Sequence, residues 1–142
     1  MPPLLSVEHL TTGFDLERGF VPAVIDVSLH LCAGETLCLV GESGSGKSLT
    51  ALSILRLVEA PGRIAGGRIL FKGRDLRGLS EREMQRVRGA EISMIFQEPM
   101  TALNPVFTIG AQIAETLAVH GRAKGRDARE RAVELLESVS IP

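Results

Sequence analysis

The sequence predicts an α/β fold in which an antiparallel β region comes first, a strand–loop–helix unit follows, and the second half is helical. Three observations predict it. Leu4 to Leu10 and Ala23 to Leu31 alternate apolar with polar residues, the period of half-buried strands. Thr36 to Val40 (TLCLV) is a short apolar run between Gly34 and Gly41 that leads through a glycine-rich loop into a stretch of helical period. From Ile109 onward, apolar residues recur at spacings of three and four.

The two alternating segments should pair antiparallel about a polar loop around Asp15 to Gly19, and Thr36 to Val40 should be a central strand covered on both faces. Lys47 to Val58 should be a helix, because Ala51, Ile54, Leu55 and Val58 fall at i, i+3, i+4 and i+7, and Pro61 with Gly62 should end that segment. Arg68 to Lys72 (RILFK) follows Gly66 and Gly67, and Gly73 offers a turn before Asp75, so a short strand or hairpin is expected. Ser80 and Glu83 have the spacing of a capping box opening a helix to about Arg88, where Gly89 ends it. Ile92 to Phe96 (ISMIF) reads as a second buried strand running into Gln97, Glu98 and Pro99; Pro99 and Asn104-Pro105 break regular structure. Two helices follow, one with the stripe Ile109, Ile113, Leu117 and one with Val133, Leu136, Val139, joined by a solvated loop from Gly121 to Gly125.

At 142 residues, 44% of them hydrophobic, the chain has the length of one ordinary domain and enough apolar side chains for a sizeable core. Sixteen Lys and Arg against seventeen Asp and Glu leave a net charge of −1, with no broad field to attract nucleic acid or an anionic membrane. Met1 to Leu10 lacks the pattern of a secretory signal, and Asp26, His30 and Glu35 interrupt the longest apolar region, so no bilayer-spanning run is present. The chain is therefore expected to be cytosolic, with any membrane attachment made through another protein. Cys32 and Cys38 do not have metal-ligand spacing and read as packing residues, while His9, His30 and His120 belong to no cluster that suggests a metal site or a triad.

The chemistry lies in Gly41-Glu42-Ser43-Gly44-Ser45-Gly46-Lys47-Ser48, which fits G-x-x-x-x-G-K-[ST] between an apolar run and a helix. Glycines let the backbone turn tightly with its N–H groups pointing inward, an anion-binding nest without side chains in the way. The helix start adds positive dipole, worth about 0.3–1 kcal/mol for a nearby anion. The Lys47 ammonium can reach β- and γ-phosphates, and the Ser48 hydroxyl is placed to ligate the Mg²⁺ that bridges them. The expected binding stretch runs through Leu49. A phosphate loop alone could belong to a kinase, a GTPase, a helicase or a transporter ATPase.

GESGSGKS together with IFQEPMTALNPVFTIGAQIAE, from Ile95 to Glu115, resembles the ATPase subunits of dipeptide, oligopeptide and glutathione ABC importers, and the resemblance covers essentially the whole chain. It implies the P-loop NTPase core of an ABC ATPase over about residues 1–97 and the start of its helical subdomain over about 98–142. Gln97 matches the Q-loop glutamine, which approaches Mg²⁺ and the γ-phosphate and connects to the membrane partner; with Lys47 it forms the implied catalytic pair. Phe14 matches the aromatic residue stacked on adenine, and Phe20 is the weaker candidate. Glu42 and Glu98 match no catalytic base.

The resemblance also implies ATP and Mg²⁺ as ligands, integral-membrane permease subunits and a second, head-to-tail ATPase subunit as partners, a solute-binding protein as an indirect one, and no nucleic acid. It places the protein peripherally at the cytoplasmic face of the inner membrane, coupling ATP binding and hydrolysis to uptake of short peptides or peptide-like solutes. An LSGGQ-like signature, an apolar strand ending in Asp-Glu and a switch histidine are not found before Pro142. This chain is therefore expected to be truncated, to bind ATP without hydrolysing it, and to be poorly soluble. The competing readings are a DNA-associated ABC ATPase and a non-hydrolysing nucleotide-binding module.

Overall fold

A computed structural model describes residues 2–98 and 102–141. The chain divides into two compact units, Met1–Gln85 and Arg86–Pro142.

The first unit is built on an antiparallel sheet. Strands β1 (Leu5–Leu16) and β2 (Gly19–Leu31) pair from Leu5↔Leu31 to Leu16↔Gly19. The ladder thus runs through most of the expected polar loop and closes on a two-residue turn, which Gly19 allows by taking φ 109. Strand β3 (Gly62–Phe71) pairs with the other edge of β1, and β4 (Arg74–Asp75) returns beside it, giving the order β2-β1-β3-β4. β3 begins well before the predicted Arg68, because β1 offers it a partner as far as Phe14↔Gly62.

A bulge in β1 sets which residues face the core. The register shifts between Val7 and Leu10, and His9 takes φ 51 opposite Asp26 at φ 54. Val7 and Leu10, three residues apart, are both buried as a result, where strict alternation would turn one outward. The bulge is tied by His9 Nδ1 to Asp26 Oδ1 at 2.6 Å and by the His9 N–H donating to Ser28 Oγ at 2.9 Å. Ile69 and Phe71 of β3 join Val7 and Leu10 in the core, with Leu76 and Met84 beyond the hairpin.

Helix α1 (Lys47–Ile54) packs on β1 and β2, where the Thr12 and Ser53 hydroxyls form a buried 2.9 Å hydrogen bond. It stops short of the predicted Val58. Leu57 N–H donates to Leu52 O and Arg56 N–H to Ser53 O, a Schellman closure with Arg56 at φ 53. Arginine bears the left-handed conformation usually given to glycine, and its Nη1 donates to the carbonyls of Leu76 and Leu79 at 3.1 and 2.6 Å. That long-range anchorage is what an end signal read from local sequence lacks. Past β4, helix α2 (Glu81–Val87) opens with the predicted capping box: Ser80 N–H and Oγ donate to Glu83 Oε2 at 2.8 and 2.7 Å.

In the second unit, helices α3 (Ile109–Val119) and α4 (Gly125–Ser138) pack on one another. Thr108 caps α3 by accepting from Ala111 N–H, and Gln112 staples the Asn104 turn by donating to Asn104 O and Phe107 O. Of the stripe expected in α4, Leu136 is half-buried, whereas Val133 is 54% exposed and Val139, just past the helix end, is 64% exposed; Ala128 and Ala132 are buried. Ala128, Ala132 and Leu136 recur every four residues and form the inner face of α4. Pro99 lies outside the described residues.

Two predicted strands are absent among the described residues. Residues 36–40 form no ladder, and Val40 is 91% exposed; in 92–96 only Ile92 makes a bridge, to Arg88, and Ile95 is 89% exposed. An apolar run becomes a strand only where a neighbour completes its hydrogen bonds, and here none does. Cys38 in the first run is exposed, so it is not the packing residue the sequence indicated, while Cys32 is half-buried. Among the described residues no helix is long and apolar enough to cross a membrane.

Candidate nucleotide site

The loop before α1 is shaped by backbone demands that its sequence meets. Gly44 and Gly46 adopt φ 80 and 87. At Gly46 a Cβ would also lie 2.9 Å from Val24 Cγ2 and 3.1 Å from Ala23 O, so β2 presses directly on the loop at the residue preceding the helix. The Ser45 N–H donates to Glu42 O at 3.2 Å, closing the turn through Ser43 and Gly44. The first helical bond runs from Thr50 N–H to Gly46 O at 2.8 Å, so Lys47, Ser48 and Leu49 have no intrahelical acceptor for their N–H groups. Those donors, with the helix dipole behind them, form an anion-receiving end.

Lys47 folds over its own loop. Its ammonium donates to Gly41 O at 2.7 Å, Glu42 O at 2.6 Å and Ser45 Oγ at 3.2 Å, using the three hydrogens it has. Carbonyl and hydroxyl acceptors carry only partial charge. A phosphate oxygen adds a full opposite charge to the hydrogen bond and is the favoured exchange partner for an ammonium held at this position.

A cavity of about 300 Å³ is lined by Phe14, Ala23 and the consecutive residues Gly44, Ser45, Gly46, Lys47, Ser48 and Leu49. The fold thus brings an aromatic ring from β1 beside the phosphate loop, which lies well downstream in the sequence. Its neighbour Phe20 is engaged elsewhere: the Arg63 guanidinium sits 4.5 Å from its ring centroid and is paired with Asp15 at 2.7 Å. Phe14 is the ring that lines the cavity. Gly41 and Glu42 act through the carbonyls that hold Lys47, and Ser43 is exposed in the turn. Gln97 is exposed in the second unit, on a segment that is neither helix nor strand.

The sequence does not mark Ala23 as a lining residue, nor Val24 as the support of Gly46. A small residue in an alternating strand carries no signal of its own, and only the β1–β2 register, with Thr12 opposite Val24, places the pair under the loop. The glycine cradle, the unbonded helix-start N–H groups and the Ser48 hydroxyl suit a triphosphate with Mg²⁺, which needs oxygen ligands and leaves several positions to phosphate and water.

The ABC transporter family profile matches residues 24–142. A putative peptide import ATP-binding protein of Brucella melitensis is 51% identical over 140 residues, covering 99% of this chain and 42% of that protein. The oligopeptide transport ATP-binding protein OppD of Bacillus subtilis is 53% identical over 140 residues, covering 98% of this chain and 39% of that protein. The chain thus spans about two fifths of the length of these relatives. Among solved structures, the dimeric form of a bacterial ABC transporter cassette superposes with a TM-score of 0.79 at 24% identity, over 94% of this chain and 56% of that one. A post-hydrolysis dimer of the same cassette, bound to ADP and Pi, gives 0.77 at 23% identity, with the same coverage of both chains. These two likenesses establish the fold.

Proposed function

This chain belongs to the ABC transporter family of ATP-binding proteins, and we propose that it holds ATP with Mg²⁺ on the 41–49 stretch and Phe14. The complete protein would couple ATP binding and hydrolysis to uptake of short peptides or peptide-like solutes, as the names of its relatives indicate for them. The observation that carries the nucleotide reading is the cavity joining Phe14 to the phosphate loop.

In that reading the N–H groups of the loop and of the helix start receive phosphate oxygens, Lys47 exchanges its carbonyl partners for β- and γ-phosphate oxygens, and Phe14 offers a face to adenine. Ser48 holds Mg²⁺ through its hydroxyl. When bound, the ion would offset the negative charge of the phosphates. Gln97 serves as the link between the γ-phosphate side and the membrane partner, and as an approach ligand to Mg²⁺. The ATP-binding core then covers about residues 1–97 and the helical subdomain starts at about residue 98. Permease subunits in the membrane, a second ATPase subunit and, indirectly, a solute-binding protein are the partners, at the cytoplasmic face of the inner membrane.

The 142 residues contain no LSGGQ-like segment and no apolar strand ending in Asp-Glu. This polypeptide by itself therefore binds nucleotide without turning it over, because positioning and charge stabilisation of phosphoryl transfer are incomplete. Calorimetric titration with ATP and Mg²⁺ tests the site: Lys47→Ala should weaken binding by at least about tenfold, the value of a charge-assisted bond, in samples that circular dichroism shows to be folded. Equal affinity in folded samples of both proteins would overturn the assignment.

A further inference from the structure

The Phe14 ring has a neighbour with no side chain, and that neighbour decides where the ring can lie. Gly62, the first residue of β3, is the register partner of Phe14 across the β1–β3 ladder. A Cβ built on Gly62 would stand 3.1 Å from Phe14 Cε1, 2.7 Å from Val58 Cγ1 and 2.8 Å from Glu59 O. Gly62 is not among the residues of positive φ, so its backbone does not call for glycine; the space does. The backbone on its flanks is pinned, with Gly62 N–H donating to Glu59 O at 2.7 Å and Asp15 N–H to Pro61 O at 2.9 Å. Glu59 O is a main-chain atom in a closed turn and yields little. An added methyl would therefore strain that turn, and would also push the Val58 and Phe14 side chains aside.

Phe14 meanwhile lines the cavity with Gly46, Lys47 and Ser48, so a shift of a few tenths of an ångström moves the aromatic face relative to the phosphate loop. We infer that Gly62 is a positioning residue for nucleotide binding: by presenting no side chain against the Phe14 ring, it sets where a base stacks once its phosphates are fixed by the loop. This rests on the proposed role of Phe14. It concerns the base end of the ligand only, since Gly62 does not line the phosphate-loop cavity.

The experiment is a double-mutant cycle on the 142-residue chain, read with two probes, ATP–Mg and inorganic tripolyphosphate–Mg. Tripolyphosphate engages the phosphate loop but has no base. Gly62→Ala should weaken ATP by about three- to tenfold, part of what a base–aromatic stack is worth, and leave tripolyphosphate unchanged. In a Phe14→Leu background, itself weakened for ATP alone, Gly62→Ala should have no further effect on either probe. An equal loss of ATP affinity in both backgrounds, or no loss in the parent, would overturn the inference. Loss of both probes in Gly62→Ala would also overturn it, making the glycine a requirement of the scaffold. If Phe14→Leu leaves ATP affinity untouched, the stacking role and this inference fall together, while the phosphate-loop reading stands or falls separately on Lys47→Ala.

Discussion

Residues 69–71 (ILF) and residues 92–96 (ISMIF) are both short apolar runs of strand-forming composition, yet one is paired in a ladder and the other is largely exposed. Ile69 of β3 is 0% exposed and Ile95 is 89% exposed. Their difference lies in partners. β3 runs beside β1, which supplies hydrogen bonds from Phe14↔Gly62 to Leu5↔Phe71, whereas 92–96 has one bridge, between Arg88 and Ile92. The same holds for 36–40, whose Leu37 and Leu39 are 46% and 49% exposed. Apolar composition marks a segment that can be buried; a neighbouring strand decides that it is.

Trimming the two isoleucines separates these states most sharply. Ile69→Ala should cost about 2–5 kcal/mol, the usual loss for a large aliphatic residue in a packed core, whereas Ile95→Ala should stay within about 0.5 kcal/mol. Chemical denaturation of both variants against the parent measures this, and comparable losses would mean that 92–96 is packed in solution. A smaller expected effect concerns association. Unpaired apolar runs invite edge-to-edge contact, so the 142-residue chain should sediment as associating species, and Ile95→Lys should shift it toward monomer. A monodisperse parent would show that the exposed runs are covered.

The least effect is expected at the start of α2. Hydrogen bonds from the Ser80 side chain and backbone, and the charge of Arg74 at 2.6 Å, hold the Glu83 carboxyl below the usual carboxylate range. A lowered pKa in the folded state means that this contribution is present above the ordinary carboxylate pKa and is lost as pH falls through the folded value. Ser80→Ala should lower the melting temperature slightly near neutrality and flatten its fall on acidification. A parallel fall in both proteins would show that the capping box does not titrate with folding. Glu83 is exposed enough to solvent that added salt should shrink the Arg74 part of the effect.

What could be read from sequence was local. Gly41 to Ser48 carries its conformation in its own glycines, and Gly44 and Gly46 take the positive φ that the pattern demands. Ser80 and Glu83 close a ring within four residues, and the pairing of the first two strands follows from alternation. The structure decided the rest through contacts between distant positions. Arg56 ends α1 in a left-handed conformation because Leu76 and Leu79, twenty and more residues on, accept its guanidinium. Ala128 and Ala132 are buried while Val133 and Val139 are largely exposed, because the inner face of α4 follows Ala128, Ala132 and Leu136. Phe14, and not Phe20, stands beside the phosphate loop because β3 places Arg63 over one ring and leaves Gly62 against the other. Motifs of a few residues are written in the chain, since their hydrogen bonds close within it. Which strand finds a ladder, and which ring faces a cavity, depends on partners that come together only when the chain folds.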